Sequence, residues 1–180
     1  RSLLGTRTPM LVFNRALGGE WDYLGLDNVH GARLATEHLL AQGHRRIAFF
    51  GGHEDSSSCH QRREGYRAAL ADAGIAPEPQ WIIECSPTRL EAARQTGALF
   101  VRDPAPTAAV CYNDAVALGL IAGLSTGCRR AGHDFAVTGF EDERHDRHGR
   151  AELVDGAVLS YAMIPLPNGQ VMMTFVDDTD

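Results

Sequence analysis

The sequence predicts an α/β protein: a doubly wound parallel sheet followed by an antiparallel three-strand meander. Two observations carry this. Short, continuous apolar runs alternate with capped, helix-period segments over roughly the first 140 residues, the signature of βα units around a parallel sheet. Beyond residue 142 the helical period disappears, and Asp155-Gly156 and Asn168-Gly169 mark hairpin turns.

Pro9 to Phe13 (PMLVF) enters as a strand with proline at its edge. Tyr23 to Leu26 is a second. Asp27 or Asn28 can then cap a helix, their side-chain oxygens accepting from orphan backbone N–H groups. Val29, Ala32, Ala35, Leu39, Leu40 and Ala41 form its apolar stripe, and Gly43 stands where the helix should stop. Ile47 to Phe50 reads as a strand covered on both faces. Gly51-Gly52 ends it, and the polar stretch EDSSSCHQRR reads as a loop before a helix from about Gln61 to Ala73, with Arg62 and Arg63 in its opening turns. Trp81 to Cys85 is the next strand. Thr88 and Glu91 have capping-box spacing, with Leu90, Ala93, Gly97, Phe100 and Val101 as that helix's expected core face. Thr107 to Tyr112 and Phe135 to Thr138 are two further strands, flanking a helix that Asn113-Asp114 begins, with Asp114 the expected cap and Asn113 at the strand end facing the cleft. Right-handed crossovers put all the strand-end loops on one edge, and in such sheets ligands sit beyond the carboxyl ends of the strands. A pair of arginines there can hold an anionic or polyhydroxyl ligand through a planar fork.

Composition narrows the classes. Among 180 residues, 44% are hydrophobic and 22% charged, ordinary values for a folded protein. The net charge of −6 argues against these residues gripping a nucleic-acid backbone themselves. Cys59, Cys85, Cys111 and Cys128 occur singly, without zinc or disulfide spacing, which reads as buried free thiols in a reducing, cytoplasmic setting. No run approaches the ~20 apolar residues of a membrane span. The Gly51-Gly52 turn lacks dinucleotide-loop spacing, and no serine stands in a nucleophile elbow. His145 and His148, among interleaved arginines and acids, read as a solvated linker rather than a metal site. No catalytic residue, metal or cofactor is expected.

The segments PMLVFNR, LDNVHGARLATEHLLAQGHRRIAFFGG, QRREGYRAALADAGI, PTAAVCYNDAVALG and DFAVTGFED occur in this order. Together they resemble the effector-binding core of LacI/GalR-type bacterial transcription regulators, over about residues 9 to 142. That core shares its type I fold with periplasmic sugar-binding proteins. The resemblance implies two lobes on a hinge around a small ligand, often a sugar. It also implies a homodimer, and contact with DNA only through a helix-turn-helix headpiece that these residues do not contain. Arg62 falls at the family's effector-binding arginine, Asn113 at an effector-contacting position, and Glu141 where an aspartate usually bonds the effector. Asp27 is a further candidate for a sugar hydroxyl, in competition with its capping role.

Residues from about Gly149 onward resemble the last three strands of a PAS domain of a sensor histidine kinase, with Asp177, Asp178 and Thr179 at its terminal motif. The expected divisions are 1–52, a fragment of the first lobe; 53–142, the second lobe; and 143–180, the PAS-like strands. A transport-type solute-binding protein and a fragment of a sensor kinase are the competing readings.

Overall fold

The computed structural model describes residues 11–13, 22–24, 26–101, 103–140, 147–152, 158–165 and 171–177. The chain divides into two compact units, one of Asp27–Asp142 and one of Arg1–Leu26 with Glu143–Asp180.

The Asp27–Asp142 unit is a four-stranded parallel sheet with helices between its strands. In chain order these are α1 (Asn28–Ala41), β3 (Ile47–Phe50), α2 (Ser57–Asp72), β4 (Ile82–Ile83), α3 (Arg89–Gln95), β5 (Ala108–Cys111), α4 (Asp114–Thr126) and β6 (Ala136–Thr138). Two strands precede them, β1 (Leu11–Phe13) and β2 (Asp22–Leu24). The sheet order is β4-β3-β5-β6, with Ile47 opposite Ala108 and Ala108 opposite Ala136. All eight residues of the two central strands are buried, as continuous apolar runs under helices on both faces must be. One core cluster joins Phe50, Trp81, Leu99, Leu120 and Phe135; the other joins Leu39, Phe49, Tyr66, Leu70 and Val110. The Tyr66 hydroxyl donates to the Ile47 carbonyl at 2.8 Å, so its polar tip is satisfied inside the core.

The boundary expected at Gly52 falls inside this unit: β3, before it, pairs with β4 and β5, after it. Helix α2 begins at Ser57, four residues earlier than its pattern suggests, because buried Ser58 and Cys59 continue the helix's inner face into the polar stretch. The phase expected for α3 is corrected as well. Leu90 and Val101 are exposed, whereas Ala92, Thr96 and Leu99 face the core. Gly119 and Gly123 of α4 explain the shift: a Cβ at either would overlap α3 or the turn after it, so backbone proximity rather than leucine size sets that interface. On α1 the buried set is Asn28, Ala32, Thr36 and Leu39. Arg33 bonds Glu37 at 2.8 Å and Asp72 at 2.5 Å, a surface tie between α1 and α2 that is worth little in water.

In the other unit β1 and β2 pair in parallel, Leu11 opposite Asp22. Strands β7 (Arg147–Glu152), β8 (Val158–Pro165) and β9 (Val171–Asp177) form the antiparallel meander. His148 therefore belongs to a strand rather than a linker, since the β7 ladder starts at Arg147 opposite Met163. The hairpin dipeptides and His145 lie outside the described residues.

Cys59, Cys85 and Cys111 are buried free thiols, whereas Cys128 is exposed, correcting the expectation of four buried ones. Its left-handed φ of 57° follows the C-cap of α4 and turns it outward. Burial pushes the Cys85 thiol up to about 11, with a smaller contribution from Glu91, and pushes Cys59 and Cys111 up as well. Only the thiolate reacts with an alkylating reagent. Iodoacetamide on the native protein at pH 8 is therefore expected to label Cys128 first. Mass spectrometry checks this, and equal labelling of all four would contradict the burial.

Candidate functional site

Arg62 is the centre of the site, although it is only 2% exposed. It lies on the inner face of α2, and the helix carries it to the carboxyl edge of the sheet. Its Nε–H donates to Asn28 Oδ1 at 2.8 Å, and Nη1 donates to the Tyr112 carbonyl just past the end of β5. Asn28 is itself held by its amide, which donates to Gln61 Oε1 at 2.8 Å. Two aromatic rings approach the guanidinium: Cζ is 3.7 Å from the Phe140 centroid and 4.7 Å from that of Tyr112. A guanidinium is planar and more weakly hydrated than an ammonium, so it tolerates this environment where a lysine would not.

Two glycines let the wall close. Gly51 and Gly52 have φ of 94° and 82°, which only glycine adopts without strain. A Cβ at Gly52 would lie 2.7 Å from the Tyr112 ring and 2.8 Å from Cys59 Sγ. The turn after β3 thus packs directly under Tyr112.

The other candidates divide. Asn113 follows Tyr112 and caps α4, its Oδ1 accepting from the Val116 N–H at 2.9 Å. Asp27 adjoins Asn28, is exposed, and caps α1 by accepting from the His30 N–H at 2.9 Å. Glu141 lies outside the described residues. The structure thus brings Arg62 and the Tyr112-Asn113 strand end together. Asn113→Ala is expected to cost about 1 kcal/mol of stability through the lost cap. Asn113→Asp should keep that stability, and chemical denaturation of the two variants checks both.

Arg63 is also buried, correcting the reading of the second arginine as part of one fork. Its Nη2 bonds Glu84 Oε1 at 2.7 Å, and its Cζ lies 5.7 Å from the Phe49 centroid. Successive helical residues point about 100° apart. Arg63 therefore ties α2 to the strand end at β4, while Arg62 faces β5.

Asn28, Tyr112 and Phe140 were not legible as site residues. Asn28 and Tyr112 stand 34 and 50 positions away from Arg62, and no local spacing encodes that. The only sequence signal was position: Asn28 follows Asp27, and each aromatic immediately precedes a residue singled out, Asn113 or Glu141.

A cavity of about 520 Å³ lies at the opposite, amino-terminal edge of the sheet, lined by His44, Thr107, Ile121, Phe135 and Val137 among others. It is not the crevice beyond the strand ends. Among the described residues, no group of three or more His, Cys, Asp or Glu could hold a metal ion, and no helix is long and apolar enough to cross a membrane.

Comparison with known proteins agrees with the fold. The maltose regulon regulatory protein MalI of Escherichia coli K12 is 37% identical over 117 residues, covering 65% of this chain and 34% of MalI. The transcriptional regulator GalR of the same organism is 33% identical over 153 residues, covering 84% of this chain and 45% of GalR. Among solved structures, a LacI transcriptional regulator from a Rhodococcus species superposes with a TM-score of 0.70 at 32% identity, covering 79% of this chain and 53% of that one. A complex of the transcriptional regulator CelR with cellobiose gives 0.67 at 31% identity, covering 72% and 40%. The chain thus spans between a third and about half the length of these relatives. Residues 9–149 match the family described as periplasmic binding proteins and the sugar-binding domain of the LacI family, and the chain belongs to that family.

Proposed function

We propose that this chain carries part of the effector-binding core of a LacI-type transcription regulator, and that the ligand is a sugar or similar polyhydroxyl molecule. The observation that carries the reading is Arg62. It is a buried cation at the carboxyl edge of a parallel sheet, oriented by Asn28 and Tyr112 and covered by two rings. Aromatic faces beside a fixed bidentate donor suit a sugar, which offers C–H faces and hydroxyl edges at once. In this reading Arg62 and Asn113 contact the ligand, with Glu141 supplying an acceptor and Asp27 bordering the site. The unit Asp27–Asp142 provides one wall of the cleft.

The mechanism is a population shift. A ligand that binds the closed arrangement of two lobes better than the open one biases that equilibrium by its differential affinity. A DNA-binding headpiece and a dimer partner coupled to the lobes would read the change. The protein acts in this role by binding, not by catalysis, and in the cytoplasm, where its DNA target is. The regulators MalI and GalR among the relatives support this over a transport role, although the family also includes periplasmic binding proteins. For the last strands, β7, β8 and β9 form an antiparallel meander, a topology too general to support the PAS resemblance. Residues 150–180 lie beyond the family match, and we propose residues 143–180, which stand outside the Asp27–Asp142 unit, as distinct from the effector-binding core.

The test is calorimetric titration of the protein with cellobiose, maltose, galactose and ribose, and with an amino acid as control. Saturable binding of at least one sugar is expected. Binding of the amino acid alone would overturn the ligand class.

A further inference from the structure

Phe140 follows the end of β6, and nothing in that three-residue strand dictates where its ring should go. Its position is set by two other elements. Its backbone N–H donates to Asp114 Oδ1 at 3.0 Å. Asp114 is the first residue of α4, yet the side chain that caps that helix is Asn113, so this Asp114 oxygen reaches the strand end instead. The preceding residue must be glycine for this approach, because a Cβ at Gly139 would overlap the same Oδ1. From α1, Gly31 leaves room for the ring: a Cβ there would lie 2.8 Å from Phe140 Cζ and 2.9 Å from Cε2.

We infer that Asp114 and Gly31 are positioning residues for Arg62, acting through Phe140: together they seat the ring over the guanidinium and so support the plane in which Arg62 presents its N–H groups. The bonds to Asn28 and the Tyr112 carbonyl hold two edges of that plane. A ring 3.7 Å from Cζ backs one of its faces. Bidentate recognition depends on that plane, because both N–H groups must meet their acceptors at once. The inference presupposes the binding role of Arg62 only for its consequence. The arrangement itself can be measured without any ligand.

The experiment is ¹H–¹⁵N NMR of the 180-residue chain, following the Arg62 Nε–H resonance, identified by its loss in Arg62→Lys. In the wild type the resonance is expected upfield of a solvated arginine, from the ring current of Phe140, and slow to exchange. Phe140→Leu is expected to abolish most of the upfield displacement. Asp114→Ala is expected to lose much of it, and Asp114→Asn, which keeps an acceptor oxygen, to restore it. Gly31→Ala, which displaces the ring from the other side, is expected to move the resonance as well. If Asp114 served only α4, Asp114→Ala would lower the melting temperature while leaving the Arg62 signal in place, and that result overturns the proposal. Should Asp114→Ala fail to fold, an unmoved signal in Gly31→Ala, or in Phe140→Leu, overturns it equally. Failure of every sugar to bind would count against the proposed function and leave these shifts as they are.

Discussion

Replacing Arg62 with alanine is expected to reduce sugar affinity at least roughly 100-fold, since charge-assisted hydrogen bonds are worth about 1.5–3 kcal/mol each and every ~1.4 kcal/mol is tenfold in affinity. The protein is also expected to lose stability. Asn28 is 1% exposed, and its Oδ1 would be left without the Nε–H donor it now has. A buried acceptor stranded in this way costs about 1–3 kcal/mol. Two rings would also lose the cation packed against them. Arg62→Lys should fail to rescue binding, because an ammonium cannot donate to Asn28 and to the Tyr112 carbonyl in one plane. Calorimetric titration and urea denaturation measure the two effects separately. A variant that kept wild-type affinity would remove Arg62 from the site, and one that kept wild-type stability would contradict its burial.

Gly65→Ala is expected to be among the most damaging single substitutions in the Asp27–Asp142 unit. A Cβ at Gly65 would overlap the Val29 carbonyl oxygen and lie 3.0 Å from the Arg33 backbone N, so helices α1 and α2 could no longer touch backbone to backbone. No flexible side chain is available to yield. Overpacking of a rigid interface costs about 1–3 kcal/mol and occasionally more, and here the upper end applies because both obstacles are main chain. For a unit of this size, that loss corresponds to a melting temperature lower by roughly 10–20 °C. Gly97→Ala is the control. A Cβ there meets nothing within 4 Å, so alanine should be neutral or stabilising by a few tenths of a kcal/mol. Equal melting temperatures for the two variants would show that α1 and α2 do not pack as described.

The helix between Gln61 and Ala73 shows how far the sequence carries. Its existence, its end near Gly74 and an inner face of Tyr66, Ala69, Leu70 and Ala73 follow from periodicity and a C-terminal glycine; the first three are buried, whereas Ala73, the C-cap, is exposed. The same pattern gave no reason to bury Arg62 and Arg63, since an arginine near a helix start is ordinarily solvated. The structure supplies the reason in partners far along the chain: Asn28 and Tyr112 for one, Glu84 for the other. Helix α3 failed in a different way. Counting large apolar residues placed Leu90 and Val101 inside, but the neighbouring α4 presents glycines, and a close approach of backbones selects the small residues of α3 instead.

Local sequence sufficed for the alternation of strands and helices, the cap at Thr88 and the arginine at the strand edge; it left the α1 cap open between Asp27 and Asn28, and it favoured Asp114 where Asn113 caps α4. Each of these is decided by groups a few residues apart, whose geometry a local period or a single side chain can express. Tertiary structure alone decided that β3 belongs to the same sheet as β5 and β6, and that the two arginines part company. It also decided that Asp114 serves Phe140. Those outcomes depend on groups separated by 21 to 61 residues, brought together only when both faces of the sheet are covered.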